Sequence, residues 1–306
     1  MPKAVYKNGN SVVTIDLNNG TKERVTEEDE FNLEFPETID LNIGNRCDGG
    51  CQFCYINASP AGIDADLMDL PFLDTVNPYT EMAINGNSVD HPQLIPFLEE
   101  LKRRRIIANI TVNQIHFERK FELIKELVNK GLVKGIGISL RKPTAEFIEK
   151  VKHFPNAVIH TIVGILNPED IEALMHNDLK ILILGYKDLG RGIGYKATHF
   201  ADWLRNKNHL YDALENFVGA CKVCSFDNLA IEQLDVKRLL TDEQWEEFYM
   251  GDEGTASMFI DLVTQKFGVS SLCREDEMIP IIGDIKIMGD IKEIFKVVKT
   301  RKGNKS

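Results

Sequence analysis

The feature that most constrains this 306-residue chain is a regular alternation of short β-branched, apolar runs with segments of helical period. Thr38 to Ile43, Glu81 to Ile84, Ile107 to Val112, Gly135 to Leu140, Val158 to Val163 and Lys180 to Leu184 read as strands. Gln93 to Arg105, Glu118 to Lys130, Ala145 to His153 and Glu169 to His176 read as helices. Within the second of these helices, Phe121, Ile124, Leu127 and Val128 recur at the spacing that puts one apolar face against a sheet. Strand and helix alternating in this way build right-handed parallel units. The expected fold is therefore α/β: a partial (β/α)6 TIM-like barrel with an N-terminal β-hairpin unit and a C-terminal α/β extension.

Three parts are expected: an N-terminal β-hairpin appendage over 1–35, the barrel over 36–235, and an extension over 236–306 that covers the barrel. The first rests on the β-branched run Ser11 to Ile15, flanked by Asn8-Gly9 and Asn19-Gly20, dipeptides that favour tight hairpin turns. The acidic stretch Glu27-Glu28-Asp29-Glu30 separates it from the barrel. In the extension, Trp245, Phe248, Tyr249, Met258 and Phe259 fit two amphipathic helices packed on the barrel. The tail from Lys299 to Ser306 has no apolar residue and is expected to fray.

Directly after the first barrel strand the chain reads Asn45-Arg46-Cys47-Asp48-Gly49-Gly50-Cys51-Gln52-Phe53-Cys54-Tyr55, a C-x3-C-x2-C run. It offers three thiolates to one centre, whereas a closed structural zinc site or an electron-transfer iron-sulfur site takes four protein ligands. Gly49 and Gly50 let the backbone curl so that the sulfurs converge. A zinc knuckle completed by a ligand such as His91, or buried thiols without chemistry, are the other readings of the run. Barrel enzymes build their sites at the carboxyl ends of strands, so the thiols are expected at the barrel mouth.

The run, with an aromatic at Phe53 before its third cysteine, resembles the signature of the radical SAM superfamily, and the resemblance extends over roughly residues 36–235. It implies a [4Fe-4S] cluster on Cys47, Cys51 and Cys54. One iron would stay open to the amino and carboxylate groups of S-adenosylmethionine (SAM). Reductive cleavage of SAM would yield a 5'-deoxyadenosyl radical that takes hydrogen from a substrate. By position, the resemblance also implies cofactor contacts at Phe53 and Tyr55 and at Asn85-Gly86-Asn87 for the methionine amine. Further contacts are implied at Asn113 for ribose or substrate, Ser139 for ribose, Arg141 for the carboxylate, and Gly164, Ile165 and Leu184 for adenine. Where the family pattern carries Gly-Gly-Glu, this chain has Asn85-Gly86-Asn87, so an uncharged turn replaces the carboxylate, and Asn-Gly favours turns on its own. A reductase or flavodoxin-type electron donor is the implied partner.

A net charge of -11 disfavours nucleic acid as substrate. The basic run Lys102 to Arg105 is read as a helix end complementing the C-terminal dipole. A peptide, protein side chain or small molecule is the expected substrate. A tRNA-type modification enzyme and a non-catalytic barrel holding zinc or a cluster for structure or docking are the alternatives. Six cysteines in a chain of this length do not form a secreted disulfide framework, so a reducing, cytoplasmic setting is expected. The start has no apolar signal core and no apolar run approaches about 18 residues, so no membrane partner is expected.

Outside the motif, Cys221, Cys224 and Cys273 are candidate ligands of an auxiliary iron-sulfur cluster. Cys224 and Cys273 are also candidate hydrogen-atom donors, since S–H bonds are weak, and buried structural thiols are the remaining reading. Asp227, Asn228 and Glu232 are candidate substrate-facing groups. Gly190-Arg191-Gly192-Ile193-Gly194 is expected as a mobile loop over the mouth, with Lys187 or Arg191 free to meet an anionic substrate.

Overall fold

The structure, a computed structural model, describes residues 2–281 and 289–303. Strands β1 (Lys3–Asn8), β2 (Ser11–Asp16) and β3 (Lys22–Thr26) form a small antiparallel sheet in sequence order. Its first turn requires glycine: Gly9 has φ +59°, and an added Cβ would meet the Asn32 carbonyl oxygen at 1.7 Å. Val13 and Ile15 bury the inner face of this sheet.

The main sheet contains β4 (Thr38–Asn42), β5 (Glu81–Asn85), β6 (Ile107–Asn113), β7 (Gly135–Ser139), β8 (Ala157–Ile162), β9 (Lys180–Leu184), β10 (Val223–Phe226), β11 (Ser257–Asp261), β12 (Lys266–Gly268) and β13 (Ile279–Pro280). Their spatial order is β10-β9-β8-β7-β6-β5-β4-β11-β12-β13. The ladder from β10 through to β11 is parallel throughout, and β12 and β13 are antiparallel additions. The six expected strands are thus β4 to β9, and β10 and β11 extend the parallel run at its two ends. Among the described residues β10 and β13 have no further strand partner, so the ladder is open. Met258 and Phe259, expected on a helix, lie on β11, where Met258, Phe259 and Ile260 are buried in succession. Such a run, hidden on both faces, has no period to distinguish strand from helix.

The helices are α1 (Leu94–Arg103), α2 (Gln114–Arg119), α3 (Phe121–Asn129), α4 (Ala145–Lys152), α5 (Pro168–Leu174), α6 (Arg191–Thr198), α7 (Phe200–Ala220), α8 (Asn228–Leu234), α9 (Asp242–Phe248) and α10 (Ile291–Gly303). The helix expected over Glu118 to Lys130 is divided at Lys120 into α2 and α3. The basic tail continues α10 as far as Gly303, and Asn304 to Ser306 lie outside the described residues. No described helix is long and apolar enough to cross a membrane.

Strand alternation sorts the side chains. Leu41, Ile84, Ile110, Ile138, Ile159 and Ile183 point outward into one continuous core with Leu101, Leu127, Phe147 and Leu214 of the helices. Between them, Asp40, Ala83, Thr111, Gly137, His160 and Ser225 point inward and line a single cavity of about 1210 Å³. One cavity bounded by strands from β4 to β10 requires the sheet to curl around it.

The N-terminal sheet lies across the end of this cavity away from the cysteines. Its β2–β3 turn, Asp16 to Thr21, lines the cavity. Lys22 Nζ pairs with Glu81 Oε2 at 2.6 Å, and Asn156 Nδ2 donates to Asn18 O at 2.5 Å. Just before β4, Glu37 accepts from Arg24 Nε at 3.0 Å and from Nη2 at 2.9 Å, both side chains being buried. Glu37→Ala would strand the guanidinium, which predicts a loss of about 3–5 kcal/mol. Urea denaturation checks this, and a loss below about 1 kcal/mol, the range of an exposed pair, would contradict it.

Candidate active site

The cysteine loop leaves the carboxyl end of β4 and is tied down through its backbone. Cys47 N donates to Ser59 O at 2.9 Å, and Gly50 takes φ +65° where the loop curls. Arg141, just beyond β7, donates from Nη1 to Gly49 O at 2.5 Å. Arg191 donates from Nη2 to Cys51 O and to Ala58 O, each at 2.9 Å, and its N–H reaches Cys54 O at 3.0 Å. Gly190 precedes it at φ +53°, and a Cβ there would lie 2.4 Å from Tyr55 O. The glycine-rich segment expected as a mobile loop is therefore a clasp on the cysteine loop. Gly190 and Gly192 permit close backbone approach, and Arg191 is engaged with carbonyls instead of being free for an anionic substrate. Lys187 is also held, donating to Ser271 Oγ at 2.6 Å and standing 4.1 Å from the centre of the Tyr55 ring.

On the outer side of the loop, Asp48 receives His116 Nε2 at 2.6 Å and Arg119 Nη1 at 2.7 Å. Hydrogen bonds from Arg119 and His116 hold its carboxyl well below the usual carboxylate range. Asp90 joins the network through Arg119 at 2.5 Å and Lys120 at 3.1 Å. Asp48, Asp90 and His116 are the one group of potential metal-ligand side chains among the described residues whose ligand atoms all lie within 4.8 Å of one another. Their carboxylates already face two cations, so we assign the group to clamping α2 onto the loop.

The three motif thiols stand near enough for Cys47 and Cys54 to disfavour ionisation of Cys51, while burial pushes Cys47 and Cys51 up. Arg141 and Arg191 pull Cys51 back down. Asn113 Nδ2, at the end of β6, donates to Cys51 Sγ at 3.3 Å. The three sulfurs do not all fall within 4.8 Å of one another. That spacing is too wide for all three to bind one ion. His91 does not complete a zinc site, because Nδ1 accepts from Gln93 N at 3.1 Å and Nε2 meets Ala65 O at 3.0 Å.

Phe53, Tyr55, Asn85, Gly86, Asn87, Asn113, Ser139, Arg141, Ile165 and Leu184 all line the cavity beside these thiols. Gly86 has φ +97°, with Gly44 O 2.7 Å from where a Cβ would stand. Asn87 donates to Asp90 Oδ2 at 2.9 Å, while its own Oδ1 is buried without a hydrogen-bond donor among the described residues. Gly164 does not line the cavity. It turns at φ +77° beneath the Trp203 indole, which leaves no room for a side chain.

The structure does not bring Cys221, Cys224 and Cys273 together. Cys221 and Cys224 hydrogen bond to each other, and Cys221 Sγ also donates to Phe217 O at 3.1 Å. Cys273 packs by Gly268. None of the three lines the cavity, and they form no three-ligand group. Asp227 lines the cavity but Asn228 and Glu232 do not.

Asp40, His160 and Glu253 also face the cavity, and no motif pointed to them. Burial alone lowers His160 to about 4, so its imidazole is neutral, lying against Gly137. Burial pushes the Asp40 carboxyl up to about 6. The signal for both was available: each is an ionisable residue flanked by apolar ones within a strand, Asp40 between Ile39 and Leu41 and His160 after Ile159.

No protein-family model matches the chain, and no curated protein matches it. Solved structures of SuiB from Streptococcus suis do. SuiB bound to S-adenosylmethionine is 14% identical, with a TM-score of 0.56, covering 94% of this chain and 87% of SuiB. SuiB bound to its precursor peptide SuiA is 14% identical with a TM-score of 0.57, over the same shares of both chains. SuiB alone is 12% identical at 0.57. At such identities the likeness is one of fold.

Gly190→Ala forces an L-residue to positive φ against Tyr55 O and is expected to cost about 1–3 kcal/mol, measured by denaturant titration; an unchanged midpoint would contradict the clasp. The folded-state pKa of Asp40 is raised, so its folded state binds the proton more tightly and stability falls as pH rises from about 4 through about 6. Asp40→Asn is expected to remove that slope and to raise stability at pH 7 by about 1–3 kcal/mol; equal pH profiles for variant and wild type would contradict it.

Proposed function

We propose that this chain is a radical SAM enzyme acting on a peptide or protein side chain. The observation that carries the proposal is the donor set: the thiols of Cys47, Cys51 and Cys54 line one large cavity and stand near enough to act on one another electrostatically, while His91, the candidate fourth ligand, is engaged elsewhere. An incomplete ligand set of this kind suits a [4Fe-4S] cluster that leaves one iron to a small molecule. SuiB, whose fold the chain shares, has been solved with S-adenosylmethionine and with a precursor peptide, which supports the choice of cofactor and substrate class.

Cys47, Cys51 and Cys54 would hold the cluster. When bound, the cluster and SAM would supply one-electron cleavage of the sulfonium and a 5'-deoxyadenosyl radical. The protein supplies position and environment. Asn113 donates to Cys51 Sγ and so stabilises the thiolate form. Arg141 and Arg191 fix the loop carbonyls and place positive charge beside the same sulfur. Asn87 Oδ1 is a buried acceptor in need of a donor, which the methionine amine would provide. Ser139, at the end of β7 on the cavity face, would meet a ribose hydroxyl, and Ile165 and Leu184 would give adenine an apolar wall. A flavodoxin-type donor would supply the electron, and the reaction requires a reducing compartment such as the cytoplasm. The net charge of -11 weighs against the tRNA-type alternative.

Anaerobic reconstitution with iron and sulfide, followed by dithionite and SAM, is expected to produce 5'-deoxyadenosine. Product no greater than that of a Cys51→Ala variant treated identically would sink the proposal.

A further inference from the structure

Besides Ser139 and Arg141, the carboxylates of Asp40, Asp227 and Glu253 and the ammonium of Lys187 line the cavity. Asp227 Oδ1, at the end of β10, is fixed by Gly185 N at 2.8 Å and Ala230 N at 2.7 Å. Glu253, in the loop before β11, accepts a hydrogen bond from Ser270. Asp40, midway along β4, lies deep within the protein, touches solvent through the cavity, and has no hydrogen-bond or ion-pair partner among the described residues. Lys187 acts on all three electrostatically but forms no ion pair with any of them, being anchored to Ser271 and the Tyr55 ring.

Buried charges in folded proteins are normally paired, because an unpaired one keeps its full desolvation penalty. Two of these carboxylates are held in place by hydrogen bonds, which fixes where their charge points. The third is left without any partner in the wall of a cavity large enough for a substrate side chain. The oxygens of Asp40, Asp227 and Glu253 do not form a group within 4.8 Å, too dispersed for one metal ion. A spread of carboxylates instead suits a cation that donates several diverging hydrogen bonds, as an ammonium or a guanidinium does.

We propose that Asp40, Asp227 and Glu253 form a specificity pocket that takes the cationic side chain, lysine-like or arginine-like, of the peptide substrate. This rests on the radical SAM reading of the same cavity. It deepens that reading by naming the chemistry of the residue that docks beside the cofactor end. Asp40 is the discriminating member, since it is the one carboxylate of the three that the protein leaves without a hydrogen-bond or ion-pair partner among the described residues.

The test uses the full chain without metal, under anaerobic conditions, and ligand-observed NMR titration of two near-isosteric probes, Nα-acetyl-lysine methylamide and Nα-acetyl-norleucine methylamide. Wild type is expected to prefer the lysine probe by at least about tenfold, about 1.4 kcal/mol. Asp40→Asn and Glu253→Gln are each expected to reduce that preference to less than about threefold, with circular dichroism confirming that each variant is folded. Cys51→Ala is expected to keep the preference. Equal affinity for the two probes, no binding of the lysine probe at about 20 mM, a regime weaker than about 2.3 kcal/mol, or a preference that survives both carboxylate variants would overturn the proposal. Nα-acetyl-glutamate methylamide binding as well as the lysine probe would overturn it too. Formation of 5'-deoxyadenosine by wild type is read separately: its absence alongside an intact lysine preference would count against the radical reading and not against the pocket.

Discussion

Period-two burial along the parallel strands is the constraint on which the rest of this structure depends. Every strand from β4 to β9 commits one face to an apolar core beneath helices. The other face has to go somewhere, and the curl of the sheet gathers it around one cavity. Residues that are polar, small or charged on that inner phase, such as Asp40, Asn109, Gly137 and His160, become the lining of the site without any cost to the outer core. Loops at the carboxyl ends then need only to be held, and the molecule holds the most important one by its carbonyl oxygens. Two guanidiniums, Arg141 from the far side of β7 and Arg191 from the start of α6, reach the backbone of the cysteine loop. Backbone anchoring of this kind leaves the thiols themselves available to ligate.

The two ends of the cavity are built differently, and the difference is chemical. Beside the cysteines lie neutral hydrogen-bonding groups, Asn87, Asn113 and Ser139, together with Arg141. Toward β4, β10 and the loop before β11 lie Asp40, Asp227 and Glu253, whose ionisation burial opposes. At the opposite end of the strands the β2–β3 turn forms a floor, secured by the Lys22–Glu81 pair. A cofactor with amino and carboxylate groups and a substrate with a cationic side chain would thus meet surfaces of different character within one space.

Much of this was legible in the sequence where a pattern is local. Strands β4 to β9 and most helices follow from periodicity, and the cysteine run stands out as three ligands lacking a fourth. What was not legible depends on tertiary context. Met258 to Ile260 is apolar on both faces because β11 is covered on both sides, and such a run carries no period. Gly190 and Gly192 serve close approach to the Tyr55 and Lys187 carbonyls, a cause that leaves the same composition as a mobile loop. The N-terminal hairpins were visible, but that their turn would floor the cavity depends on Lys22 meeting Glu81, 59 residues later in the chain. Cys221 and Cys224 look like ligands by spacing. They face each other and Phe217 O, outside the cavity, for a reason that only the β10 register reveals.

If Cys47, Cys51 and Cys54 hold one cluster whose open position faces the cavity, SAM must alter the electronic state of that cluster when it binds. Anaerobic electron paramagnetic resonance of the reduced, reconstituted protein, with and without SAM and together with an iron and sulfide count, is the decisive measurement. One [4Fe-4S] cluster per chain is expected, with a signal that changes when SAM is added and loss of both iron and signal in the Cys47/Cys51/Cys54 triple alanine variant. Zinc without labile sulfide, a signal indifferent to SAM, or iron retained by the triple variant would contradict it.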